Sequence, residues 1–459
     1  MLWKFHTCSL HWGLLMVLVW HLNGLVGHHG KNGCRLYCST VGWHKPGISH
    51  YYPAFYKPHN YNVEGCSHED YSYENPPVRS PEFYEENLRY LMALPNERQY
   101  KKWCLETGIS KPSIFLGLSP QHKAAVPLCF GPDIMHLESL NIPDLLIPLW
   151  QGTFDCDKND SQSDWPWAVL HEKKWEEHGK DVAAATPYLP DSFDHPPHNP
   201  AEKISSGYKA WEFLLYLYGL GPGVFLNILP QTYYKHFCKL IFAVWIINQH
   251  QIKTKDLKKA HQALVEFAHE FELLYYQHQT DRLHFVCQSI HTLIHLALEV
   301  IRLGPLICSS QWTLEHTIGN LCEEIQSHVH PYANLSQCGL QRCQINALKA
   351  MFLDLEEPKI TIPRGVKDFG NGYVILRAWE ETARYMEDAE CQALKLYLQD
   401  IYNLNIPQNW SPKISWWAWL HLPNGQVARS AWKEKWKPLE KVQMARNVTV
   451  RFPLASLTP

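Results

Sequence analysis

The chain has 459 residues, 46% of them hydrophobic and 19% charged, with a formal net charge of -3. That length allows two or three domains with buried cores, and the composition excludes a disordered tail or a collagen-like chain. No global positive field marks a small basic nucleic-acid-binding domain, although a larger protein can confine its positive charge to one groove.

The 14 Cys are scattered through the chain. At this length they read as reduced intracellular thiols with one candidate metal cluster, rather than as a disulfide framework.

Residues 1–26 form an apolar start. Lys4 followed by Trp12–Trp20 has the charge-then-apolar order of a secretory signal, but Cys8, His11, His21 and Asn23 interrupt or flank it. The run is shorter than the ~20 residues of a spanning helix, so the expectation is no membrane segment. Residues 27–80 are rich in Gly, His, Tyr and Cys and read as a loop-rich Cys/His module, punctuated at its end by Pro76 and Pro77. Residues 81–154 open with one or two helices between Pro81 and about Gly108. They continue with an apolar segment from Asp133 to Trp150.

Residues 155–305 begin with a long polar stretch that ends in a helix start at Asn199-Pro-Ala-Glu202. From 230 to 303 the spacing predicts three long helices, with Leu264, Phe267 and Phe271 on one stripe and Leu293, Leu296 and Val300 on another. Residues 306–380 are expected to hold a helix from about Ser309 or Ser310 that carries Glu315, then short strands near Gly365, Gly370 and Gly372. Residues 381–459 are a Trp-rich tail with basic residues Lys433, Lys435, Lys437, Lys441 and Arg446.

Two segments carry chemistry. In Asp133-Ile-Met-His136 the three-residue spacing places a carboxylate and an imidazole on one helical face, or at a strand mouth, where they can hold a divalent cation. On spacing alone the plainer reading, an Asp helix cap followed by a buried His, is favoured. In Trp312-Thr-Leu-Glu315 the Glu sits inside an apolar-patterned helix, and an exposed helix carboxylate is again the plainer reading. A third feature is Cys34-x3-Cys38 with Cys66-x-His68, four soft or borderline ligands for a structural Zn²⁺, with His44 and His50 as competitors and plain buried thiols as the alternative.

Together, Asp133-Ile-Met-His-Leu-Glu-Ser-Leu-Asn141 and Trp312-Thr-Leu-Glu-His-Thr-Ile-Gly-Asn-Leu321 resemble two blocks of the CACTA (En/Spm-like) DNA transposases. Ile290-His-Thr-Leu-Ile-His295 and Glu299-Val-Ile-Arg-Leu-Gly304, lying between them, look like the family's His-Leu-rich helix and its sequel. The wording is nearest to fungal members in Gly152–Asp157, Asn199–Lys203 and Tyr332–Ser336. The resemblance covers roughly residues 24–380.

It implies an α/β fold with an RNase H-like core, incomplete here, and a large mostly α-helical insertion in the 182 residues between Asp133 and Glu315. The family's DDE-type activity is metal-dependent DNA strand cleavage and transfer. It would use two Mg²⁺ ions, with Asp133 on or after a core strand, Glu315 on a following helix, and His136 orienting a ligand or contacting phosphate. DNA would be the partner, as transposon ends and target, oligomers are possible in the family, and the location would be nuclear.

The first Asp of such a site has no counterpart in Leu15–His21, and the first acidic residue in the chain is Glu64. The expectation is therefore a truncated, degraded member with impaired catalysis, its start a broken core strand or a frame-shifted segment. His316 also stands where the family has Arg. The alternatives left open are a non-catalytic DNA- or protein-binding relic and a secreted Cys-containing protein.

Overall fold

A computed structural model describes residues 22–117, 126–189, 196–323, 325, 329–352, 355, 366–380, 382–423 and 427–430. The apolar start through His21 and the basic residues of the tail lie outside these. The chain divides into two compact units, one of residues 1–179 and 200–323, the other of 180–199 and 324–459. Among the described residues no helix is long and apolar enough to cross a membrane.

The first unit is mainly helical. Its small sheet pairs β1 (Trp43–His44) with β2 (Tyr51–Tyr52) in antiparallel register. Two helices follow, α1 (Pro81–Met92) and α2 (Glu97–Thr107). Ser80 and Asn96 cap them by accepting the amides of Phe83 and Gln99, and Gly108 ends α2 at φ 76°, a left-handed turn that a Cβ would disfavour. The expected pair of helices is thus present. An antiparallel bridge joins Leu25 to Ile109, and these two pack with Tyr37, Tyr84, Leu91 and Val126 in one apolar cluster.

The apolar segment after Asp133 forms a single rod, α3, from Ile134–His136, a widened π turn at Leu137–Asn141, and Ile142–Gln151. Asp133 was expected on or after a core strand; it is instead the N-cap of α3, with residues 126–129 in a turn before it. Pro127 and Pro132 lack the N–H that a strand ladder needs, while the Asp side chain satisfies the free amides of a helix start.

The polar stretch 155–207 carries a helix that periodicity did not signal, α4 (Glu172–Ala184), ahead of the short α5 (Pro200–Lys203). Next comes α6, made of Ala210–Leu214, a second π turn at Leu215–Leu220, and Gly221–Val224. The long helices α7 (Gln231–Ile247) and α8 (Thr254–Phe271) follow, and a third π turn, Glu272–Tyr276, extends α8.

The third long helix of the expected three is broken into a 3-10 turn (Thr280–Phe285), α9 (Gln288–Leu293) and α10 (Leu296–Leu303). The break falls where the His295 amide tightens onto Thr292 O at 3.1 Å. The unit closes with α11 (Trp312–Glu323), which carries Glu315 as expected.

Its core is aromatic. Trp150, Phe225 and Phe237 meet with ring centres 4.9–5.4 Å apart, and Trp150 donates to Tyr275 Oη at 3.0 Å. Such rings bury large area and also prefer these tilted and edge-on geometries. Two polar links tie loops to this core. Arg282 grips buried Asp160 with two bonds of 2.8 and 2.6 Å. Glu272 accepts the amides of Phe55 (2.7 Å) and Tyr56 (3.0 Å) and the hydroxyl of Tyr73 (2.7 Å), fastening the Cys/His module to the end of α8.

The second unit holds α12 (Pro331–Met351) and an antiparallel sheet in the order β3 (Lys367–Gly370), β4 (Tyr373–Trp379), β7 (Trp417–His421), β8 (Val427–Arg429). The strands expected near Gly370 and Gly372 are β3 and β4, and Gly370, Asn371 and Gly372 all take positive φ in the turn between them. A second pair, β5 (Arg384–Tyr385) with β6 (Lys413–Ile414), flanks α13 (Asp388–Tyr402). The architecture is therefore helix-rich with small sheets, consistent with a mixed α/β class.

Burial pushes Glu272 up to about 7, so at pH 8 it is mainly a carboxylate accepting three donors. Glu272→Gln turns an NH₂ group against a backbone N–H in either amide orientation, because Phe55 and Tyr56 donate to different oxygens. We expect a loss of about 2 kcal/mol at pH 8, read by urea unfolding.

Candidate metal centre and acidic site

Cys34 and Cys38 lie in the loop after the Leu25 bridge, His291 on α9, and His295 at the break between α9 and α10. All four are buried, and their ligand atoms lie within 4.8 Å of one another. Cys38 Sγ is 3.2 Å from His291 Nε2, Cys34 Sγ is 3.8 Å from His295 Nε2, and the two Nε2 atoms are 3.2 Å apart.

A tetrahedral site with Zn–N and Zn–S bonds of ~2.0–2.3 Å has edges of ~3.3–3.8 Å. The group matches that size and is the Cys₂His₂ donor set that zinc favours; it could hold a structural metal such as zinc. Among the described residues it is the one group of three or more His, Cys, Asp or Glu that converges in this way.

The two thiols differ. Hydrogen bonding to Cys38, reinforced by burial, holds Cys34 well above the usual thiol range. Burial opposes ionisation of Cys38 too, but the Cys34 thiol and the His291 and His295 imidazoles bring it well below that range.

This corrects the ligand set expected from sequence. Cys34 and Cys38 are in the converging group, whereas Cys66 and His68 are not. Cys66 is buried in a bridge to Val63 and lies against Tyr61, whose phenol is pushed upward by burial and by that thiol. The His68 ring stacks on Trp43 at 3.6 Å, and burial lowers it to about 4. The signal that could have found the two imidazoles of this group was Ile290-His-Thr-Leu-Ile-His295, since a four-residue spacing puts two side chains on one helical face.

The sequence-predicted acidic residues lie on either side of His136. Asp133 Oδ1 accepts the amides of Met135 (3.3 Å) and Gln311 (3.0 Å). Oδ2 accepts the His136 amide at 3.1 Å and the His136 Nδ1 contact. On the other side of the ring, His136 Nε2 stands 3.7 Å from Glu315 Oε1, with the Glu315 side chain 33% exposed.

Burial raises the Asp133 carboxyl, but the His136 ring and the Gln311 and His136 amides outweigh it and hold the group below its usual range. Glu315 occupies the first turn of α11, where the helix dipole favours a negative charge. The result is an imidazole flanked by two carboxylates, with both oxygens of Asp133 engaged.

A third acidic group lies one π turn along α3. Glu138 is 1% exposed; Asn248 donates to its Oε2 at 2.6 Å, and its Oε1 has no hydrogen-bond partner. Burial pushes it up to about 8, with the Asp133 charge adding to the rise. No family model matches the chain, and no curated protein or solved structure matches it either.

Because the folded-state value of Glu138 lies above the unfolded one, its neutral form favours folding. That contribution is complete below the unfolded value and is lost as pH rises through about 8. Glu138→Gln mimics the neutral form. Its stability relative to wild type should therefore climb between pH 5 and pH 8 and level off above, as followed by urea unfolding at each pH.

Proposed function

We propose that the chain derives from a DDE-type DNA transposase and that it binds DNA without cutting it. The ancestry is supported by the meeting of the two segments that carry the CACTA resemblance: Asp133 and Glu315, 182 residues apart in sequence, face each other across His136. An RNase H-like core, with residues 155–305 as linker and helical insertion, belongs to the same reading.

The observation that carries the non-cutting part is the engagement of Asp133. A two-metal centre needs carboxylate oxygens open to hard cations, with room for water and phosphate. Here four donors converge on the two oxygens of Asp133. The His136 ring fills the space between Asp133 and Glu315, with Nδ1 against Asp133 Oδ2 and Nε2 3.7 Å from Glu315 Oε1. As arranged, this donor set does not fit Mg²⁺, and strand cleavage and transfer do not follow from it. Holding DNA needs only Lys and Arg contacts to phosphate, with little sequence readout and strong salt dependence. A nuclear location goes with this reading.

The test uses the full chain and a short DNA duplex, with gel retardation and nicking measured side by side. We expect retention at about 50 mM salt that weakens by at least tenfold at about 200 mM. No Mg²⁺-dependent nicking is expected in wild type or in Glu315→Ala. Nicking that requires Mg²⁺ and vanishes in Glu315→Ala would return the acidic pair to catalysis and overturn the non-cutting assignment. Absence of retention at low salt would remove DNA as the partner.

A further inference from the structure

The Cys/His group and the acidic site are joined by one continuous stretch of chain. His295 is the residue from which α10 leaves, and α10 runs eight residues to Leu303, about 12 Å at the α-helical rise. At its far end two side chains reach the segment just ahead of Asp133. The Arg302 guanidinium donates to Leu128 O. The Leu303 side chain lies over Gly131, close enough that a Cβ at that glycine would meet its Cδ1 at 2.4 Å. The chain then turns through the 3-10 segment Leu306–Ser309 and delivers the Gln311 amide to Asp133 Oδ1 at 3.0 Å. Gln311 O in turn accepts the Glu315 amide at 2.8 Å.

We infer that Cys34, Cys38, His291 and His295 bind one Zn²⁺, and that this metal is the brace that fixes α10 and through it seats Gln311 and Glu315 on Asp133. Zinc is the metal that matches two thiolates and two imidazoles in a closed tetrahedron. Each thiol that joins as thiolate releases its proton, so binding is coupled to proton release.

Without the metal, the His295 end of α10 is held at this group by Sγ···N and N···N contacts of 3.2–3.8 Å, which are weak for such atoms. Four coordinate bonds replace them when zinc is bound. In this role His291 and His295 are positioning residues, since neither lies at the acidic site. The inference does not depend on DNA binding, and either can fail alone.

Two measurements on the full-length protein test it. Co²⁺ added to metal-free protein should bind at one equivalent, with the visible absorption of a tetrahedral sulfur-containing site. That signal should survive Cys66→Ser and His68→Ala and be lost in Cys38→Ser and His295→Ala. Hydrogen exchange is then compared between zinc-loaded and zinc-free wild type. The amides of Met135, His136 and Gln311, all held by Asp133, should exchange at least tenfold faster without zinc, while α7 amides stay protected.

Leu303→Ala provides a second route that leaves the ligands in place. It should keep the Co²⁺ spectrum yet speed exchange at Gln311. Absence of stoichiometric binding, or a spectrum that persists in His295→Ala, would overturn the metal site. Unchanged exchange at Met135, His136 and Gln311 on zinc removal would overturn the brace.

Discussion

The first unit depends on a closure between chain segments 253 and 261 residues apart, where Cys38 meets His291 and Cys34 meets His295. Closing so long a loop costs conformational entropy, but the cost grows only with the logarithm of length. A long closure is thus little harder to sustain than a short one, provided that the contact itself is strong. Everything from β1 to α9 lies inside this loop, including the rod α3 and the helix pair α7 and α8. Glu272 and Arg282 repeat the device at smaller scale, each buried charge gripping a distant loop through several hydrogen bonds. The fold is tied together by a few polar knots set among aromatic packing.

The acidic site shows a competition for one set of lone pairs. A carboxylate at a helix start is stabilised by the amides it caps, and each amide uses an acceptor position that a cation would need. Asp133 caps α3 and, through Gln311, also orders the entry to α11. The same residue therefore joins two helices distant in sequence and loses coordination capacity in doing so. His136 completes the arrangement because its ring reaches both Asp133 and Glu315.

Much of this was legible in the sequence, and what was not has physical causes. The helices between Pro81 and Gly108, and the strands near Gly370 and Gly372, follow from local backbone chemistry, which short windows record faithfully. The plainer reading of Asp133 as a helix cap was likewise available from spacing alone, while its association with Glu315 came only as an implication of the family resemblance. The Cys/His group was half legible: Cys34 and Cys38 stand out as a spaced pair, but their partners lie some 250 residues away. Nearness in sequence favoured Cys66 and His68, which tertiary packing sends to Tyr61 and Trp43. Helix α4 was missed because its buried face is built from Trp175, His178, Gly179 and Val182, of which only Trp175 and Val182 are large apolar side chains, so apolar periodicity had little to register.

The π turns of α3 and α6 carry a consequence for how this chain tolerates change. The widened turn at Leu137–Asn141 directs the Glu138 carbonyl to the Tyr218 hydroxyl at 3.0 Å, and the turn at Leu215–Leu220 directs the Tyr218 carbonyl to the Trp245 indole at 2.7 Å. Each widened turn is equivalent to one residue inserted into an α-helix. Deleting that residue would restore a regular ladder locally, yet it would rotate the rest of the helix by about 100°. In α3 the rotation would carry Trp150 out of the aromatic core, and in α6 it would do the same to Phe225. One bond joins the two widened turns and the other ties the second turn to α7, so the length of these segments is fixed more tightly than their composition.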